Sequence, residues 1–148
     1  MLRAEFLSGG NSLEQAMEFT CKLVSSIFIG EQKNISLGSN IHIRCESPID
    51  AQIIDERMWE SPKEMIIIHN ISNQDNKACP IQISYPGLKV DDQLFNTLVN
   101  LNPDLPKDLI NYKNLFQIVI EDGGDLRKRA AESWKNCLKL NIETKFKS

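Results

Sequence analysis

At 148 residues, the chain is long enough to bury a hydrophobic core as one domain without disulfides or a structural metal. Hydrophobic residues at 41% and charged residues at 25% exclude an intrinsically disordered chain. A net charge of −3 and a pI near 5.4 exclude whole-protein attraction to nucleic-acid phosphates, so no direct DNA binding is expected and any such role runs through a partner or a local patch.

Cys21, Cys45, Cys79 and Cys137 are widely spaced, with no Cys-x-x-Cys pair and no nearby histidine at metal-ligand spacing. Free thiols in a reducing compartment are the simplest account. The opening Met-Leu-Arg-Ala-Glu-Phe is charged at Glu5 and lacks the apolar run of a secretory signal, and no segment reaches the length of a membrane span. The expectation is a soluble cytoplasmic protein with no membrane contact, no metal and no cofactor.

Arg3 to Leu7 reads as a short strand feeding the turn Ser8-Gly9-Gly10-Asn11. Ser12 and Gln15 have capping-box spacing, and Leu13, Ala16, Met17, Thr20, Leu23, Val24, Ile27 and Phe28 keep helical periodicity over about four turns. Strand, glycine turn and helix invite comparison with a nucleotide-binding turn. Ser-Gly-Gly-Asn, however, has neither the Gly-x-Gly-x-x-Gly spacing nor the Gly-Lys-Ser/Thr of a P-loop.

Residues 30–40 are polar and read as a loop, after which Ile41, Ile43 and Cys45 alternate with His42 and Arg44 as a half-buried strand. His42 is expected to face solvent or to be hydrogen-bonded, since no Ser, Cys or acidic partner can be assigned to it. Ser47 is placed to cap a helix that starts at Pro48, with Asp50 at its positive end. Ile49, Ile53, Ile54 and Met58 supply its apolar face.

Pro62 disfavours helix at Ser61, so the chain leaves this helix just after Trp59 and re-enters order as the apolar run Met65 to Ile68. That leaves Trp59 at a helix end, where a large amphipathic ring either closes the core edge or anchors a partner. Asn70 to Ala78 reads as an exposed loop, and Pro80 to Tyr85 as a strand stopped by Pro86-Gly87. Leu94 to Leu101 is a further strand candidate. After the turn Asn102-Pro103-Asp104, Leu105, Leu109 and Ile110 suggest a short helix ending near Asn111. Leu115 to Ile120 is nearly all apolar and β-branched, as a central strand covered on both faces would be.

Glu121-Asp122-Gly123-Gly124 ends that strand and Asp125 is placed to cap the last helix. The acidic pair reads either as a metal site or as a solvated turn facing the helix's positive end; the second needs no further ligand, and none is identifiable. On the last helix Leu126, Ala130, Trp134, Cys137 and Leu138 fall on one side, Lys128, Lys135 and Lys139 line one flank, and Arg127 lies close to Trp134. Such an apolar shelf beside cations suits a peptide carrying both a carboxylate and an aromatic ring, although charged flanks also serve solubility alone. Strands alternating with helices argue for an α/β fold: a three-layer sandwich on a mostly parallel or mixed sheet, Rossmann-like in topology without a phosphate-binding loop.

The stretch from Asp55 to His69 is the most distinctive in the chain: a helix ending Asp-Glu-Arg-Met-Trp, a Pro-containing turn, and an apolar strand closing on His69 before a polar loop. With the short first strand, the long first helix, the Pro80 to Ser84 strand and a last helix carrying Trp134-Lys135, it resembles the chi subunit of bacterial DNA polymerase III holoenzyme over nearly the whole chain. The resemblance implies a single chi-like domain and a non-catalytic adaptor. Its last helix would bind the acidic tail of single-stranded-DNA-binding protein, which ends in Pro-Phe. Aligned on Trp134-Lys135, the basic positions of that surface fall on Arg127, Ala131, Lys135 and Leu138. Ala131 and Leu138 depart from the more basic pattern, which implies either a lower affinity or a contact shifted toward Lys128 and Lys139. A second surface would take the psi subunit of the clamp loader, or an alternative partner of the helicase type, through Trp59, Pro62 and Ile66 with His69 close by. Ile66 stands where an aromatic is common. The rival from another class is a small α/β enzyme acting on a nucleotide or phosphate ester, with Glu121, Asp122 and His69 or His42 at strand ends; a third reading is a structural module with unrelated partners.

Overall fold

A computed structural model of the chain describes residues 2–30, 40–60, 69–71, 80–88 and 96–147. In chain order these form β1 (Arg3–Ser8), α1 (Leu13–Phe28), β2 (Ile41–Arg44), α2 (Pro48–Glu60), β3 (His69–Ile71), β4 (Ile81–Ser84) and β5 (Thr97–Asn100). A single 3-10 turn at Leu109–Asn111 follows, then β6 (Asn114–Val119), α3 (Asp125–Lys139) and β7 (Glu143–Lys147). The strands join one seven-stranded sheet in the order β3-β4-β2-β5-β6-β1-β7, with every described pair parallel. The mixed-sheet alternative is therefore not what these residues adopt.

The strand order explains the layering. From β1 the chain steps through α1 to β2 and through α2 to β3, then reverses and returns through β4, β5 and β6 before α3 carries it to β7. Parallel crossovers are right-handed, so helices on the outward and return legs lie on opposite faces. Side chains bear this out. Leu7, Ile43, Ile83, Val99 and Ile118 share a core with Met17 and Val24 of α1 and with Ile54 and Met58 of α2. On the other face Phe6, Leu98, Leu115 and Val119 pack with Ala130 and Cys137 of α3.

Local chemistry sets the element ends. Ser12 Oγ accepts from Gln15 N at 3.2 Å as expected, but the Gln15 side chain reaches one residue past the usual box and accepts from Asn11 N at 2.8 Å. Ser47 Oγ accepts from Asp50 N at 3.2 Å. A Cβ on Gly9 would lie 2.6 Å from Ile118 Cγ2, so the exit from β1 comes close to β6 only because that residue is glycine.

Several expectations are corrected. Ile49 is 70% exposed, whereas Ile54 and Met58 are buried as expected, joined by Ala51, and Ile53 is partly buried against the same core. β2 is covered on both faces, with His42 only 5% exposed, so it is not half-buried. β3 takes in Asn70 and Ile71, paired in parallel with β4, where a loop was expected; Met65 to Ile68 and residues 72–78 lie outside the described residues. β5 begins at Thr97, Leu94 lying outside the described residues, and Ile110 of the 3-10 turn is exposed while Leu109 is buried. Asp125 does not cap α3. Asp122 does, its carboxylate accepting from Gly124 N at 2.9 Å, Arg127 N at 3.1 Å and Leu126 N at 3.3 Å. Finally, β7 was not foreseen at all.

Candidate functional site

One side of α3 forms a groove against the sheet. It encloses about 320 Å³ between α3 and the β1-β7 edge of the sheet, with Phe6, Ala130 and Trp134 as floor and Phe146 of β7 as the far wall. Phe6 meets the Trp134 ring edge-on, centroids 5.2 Å apart and planes at 83°, an arrangement favoured by the ring quadrupoles. Since Phe6 and Phe146 sit opposite each other in the parallel β1-β7 ladder, both rings stand on the α3 face. Arg127 and Lys135, eight residues apart on α3 and both exposed, complete the lining. Lys135 makes a surface pair with Glu132 at 3.4 Å, whereas the Arg127 guanidinium has no ion pair with any described residue.

Arg127, Ala131, Trp134 and Lys135 are thus brought together in one groove. Lys128 and Leu138 are not part of its lining; both are exposed, Leu138 at 51%, so Leu138 is no part of the buried face of α3. On the opposite flank of the buried face, Ser133 is buried with its Oγ donating to Pro103 O at 2.5 Å. Phe146 is the residue sequence reasoning missed. The alternation in Glu143-Thr144-Lys145-Phe146-Lys147 was the available signal, a period of two that puts Thr144 and Phe146 on one face.

The frame behind the groove is polar and tightly bonded. Arg129 clamps α3 to the end of β5, donating to both Asp104 carboxylate oxygens at 2.8 and 3.1 Å and pairing with Glu46 at 2.8 Å. The Arg129 hydrogen bonds hold the Asp104 carboxyl below the usual carboxylate range, and raise the guanidinium in turn. Beneath the clamp Gln117 donates to Asn102 O at 2.8 Å, Asn100 donates to Gln117 Oε1 at 2.7 Å, and Arg44 donates to Asp104 O at 2.6 Å. His42 places Nδ1 2.6 Å from the Tyr112 hydroxyl and hydrogen-bonds Ser84 through Nε2. Its hydrogen-bonded state agrees with one of the two expectations; the solvent-facing one does not hold, and Ser84 is a serine partner that the sequence did not assign.

The turn after β1 is poorly suited to a phosphate. Its Asn11 N–H is taken by Gln15, and Glu121, which accepts from Ser8 Oγ at 2.6 Å, adds a carboxylate beside it. Asp122 is committed to capping, with its carboxyl held low chiefly by the Gly124 N–H. No cluster of three His, Cys, Asp or Glu suited to a metal occurs among the described residues. Cys21, Cys45 and Cys137 are free and buried, and burial pushes the thiols up, Cys21 to about 12 and Cys137 to about 11, so they are poor nucleophiles. Cys79 lies outside the described residues.

Trp59, in the last turn of α2, has 53% of its surface exposed. Of its expected neighbours, Pro62 and Ile66 lie outside the described residues, and only the backbone of His69 is described, at the start of β3. Among the described residues no helix is long and apolar enough to cross a membrane.

Comparison with known proteins agrees with the likeness read over nearly the whole chain. The family model for "DNA polymerase III chi subunit, HolC" matches residues 1–145. A relative, DNA polymerase III subunit chi of Haemophilus influenzae, is 30% identical over 119 residues, covering 80% of this chain and 76% of its own length. The chain belongs to the DNA polymerase III chi subunit family.

Proposed function

We infer that this single-domain member of the family is a non-catalytic replisome adaptor, working in the cytoplasm, whose α3 groove captures the acidic tail of single-stranded-DNA-binding protein. The observation that carries this reading is the groove itself: an aromatic-walled floor with Arg127 and Lys135 at its rim. A peptide ending in phenylalanine presents a ring and a terminal carboxylate on one residue. The ring fills the space between Trp134 and Phe146, and the carboxylate meets a cation. Ala131 lines the groove without supplying charge, so the contact leans on Arg127 and Lys135, with Lys128 and Leu138 outside. Bound to a partner present in many copies along single-stranded DNA, such a site gains from effective concentration.

The exposed Trp59 at the end of α2 is the anchor for the second partner, the psi subunit of the clamp loader or a helicase-type protein, with Pro62, Ile66 and His69 as the adjoining positions. Tryptophan is enriched among the residues that dominate binding interfaces. The two surfaces use different helices, α3 and α2, which suits a bridge.

Titration of the folded chain with an acidic peptide ending in Pro-Phe, followed by tryptophan emission, tests the first surface. Saturable binding that weakens with salt, and falls at least tenfold on Lys135→Glu or on removal of the terminal Phe, is the expected result. Binding that ignores both changes would sink the reading.

A further inference from the structure

We propose that the partner peptide does not end its contact at the α3 groove but continues as an added strand along the outer edge of β7. This rests on the tail-binding reading and extends it. β7 is the last strand of the sheet; among the described residues its only strand partner is β1, so alternate backbone N–H and C=O groups face outward. A second groove, of about 390 Å³, flanks the same edge on the opposite face, floored by Phe19, Leu23 and Phe116 with Lys22, Lys147 and the Glu5 carboxylate among its lining. β7 therefore lies between two apolar grooves, each with cations at the margin.

The geometry selects the occupant. A helix laid on either face would fill one groove and leave the other, whereas an extended chain on the edge sends successive side chains to opposite faces and reaches both. The charge selects its sign: Arg127 and Lys135 stand on one side, Lys22 and Lys147 on the other. Lys147 is 3.0 Å from Glu5 and Lys22 is 3.2 Å from Glu18, both on the surface, where such pairs are weak enough for a peptide carboxylate to share the lysine. An acidic, extended segment preceding the terminal ring is the chemistry that fits.

The test compares two peptides on the full chain, one limited to the last four residues of an acidic sequence ending in Pro-Phe and one extended by six acidic and polar residues. The longer peptide is expected to bind roughly tenfold tighter, the worth of one or two net backbone hydrogen bonds. N-methylation at alternate amides of the extension should remove that gain, while methylation at the intervening amides leaves it, and amides of β7 should gain exchange protection with the long peptide only. Equal affinity of both peptides, or a gain indifferent to which amides are methylated, overturns the edge-strand proposal while leaving groove binding intact. Failure of both peptides to bind removes the groove reading and this proposal together.

Discussion

Trp134 serves both the fold and the groove: its edge-on contact with Phe6 helps seat α3 on the sheet, and its outer surface is the groove floor. Trp134→Ala is expected to lower unfolding free energy by about 2 kcal/mol in urea, less than a fully buried aromatic because the ring is half-buried, and to abolish peptide binding. Tyr112→Phe separates structure from binding. It leaves buried His42 without the hydroxyl at Nδ1 and should cost about 1–3 kcal/mol of stability while peptide affinity stays unchanged. Trp59→Ala should do the reverse at the second surface, changing stability little, because over half of the ring is in solvent, and removing partner affinity.

At the scale of elements, α3 is held by its cap and its clamp, and both involve carboxylates whose pKa is depressed in the folded state. Such groups stabilise the fold above the pKa they have when unfolded, about 3.9 for Asp, and that stabilisation is lost as pH falls through the lower folded value. Arg129→Ala is therefore expected to cost about 1 kcal/mol at neutral pH, at the upper end for exposed pairs because the Asp104 contact is two-pronged. The difference from the unaltered chain should shrink as pH drops below the carboxylate range, measured by urea unfolding across pH. Asp122→Ala should destabilise α3 at neutral pH more than Asp122→Asn, since an amide oxygen still accepts from the helix N–H groups, and the difference of either variant from the unaltered chain should shrink in acid, where the Asp122 carboxylate is protonated.

At the scale of the whole molecule, a net charge of −3 coexists with a locally cationic groove, so attraction is confined to a patch within about one Debye length, roughly 10 Å at 0.1 M salt. Single-stranded DNA alone is expected not to bind at physiological salt up to high micromolar protein, as read by fluorescence anisotropy; saturable binding would mean that the patch outweighs the global charge. Much of this architecture was legible from residues alone where the signal is local. Ser12 and Ser47 announce helix starts by hydrogen bonds that span three residues, α1 announces itself by periodicity, and Leu115 to Ile120 announces a central strand because only burial on both faces tolerates such a run. Arg127, Trp134 and Lys135 were legible for the same reason, as helical spacing converts directly into a shared face, whereas Lys128 and Lys139 of the expected cationic flank do not line the groove. What local patterns could not decide is where each face meets a neighbour. A helical stripe is wider than the contact it makes, so Ile49 and Leu138 fell outside and Ser133 inside. The turn before α3 could be capped by Asp122 or Asp125, and backbone geometry chose Asp122. Strand order and the placement of Phe146 opposite Phe6 depend on pairing between residues far apart in the chain, for which no short-range energy term exists, and it is that pairing which turns one face of a helix into a groove.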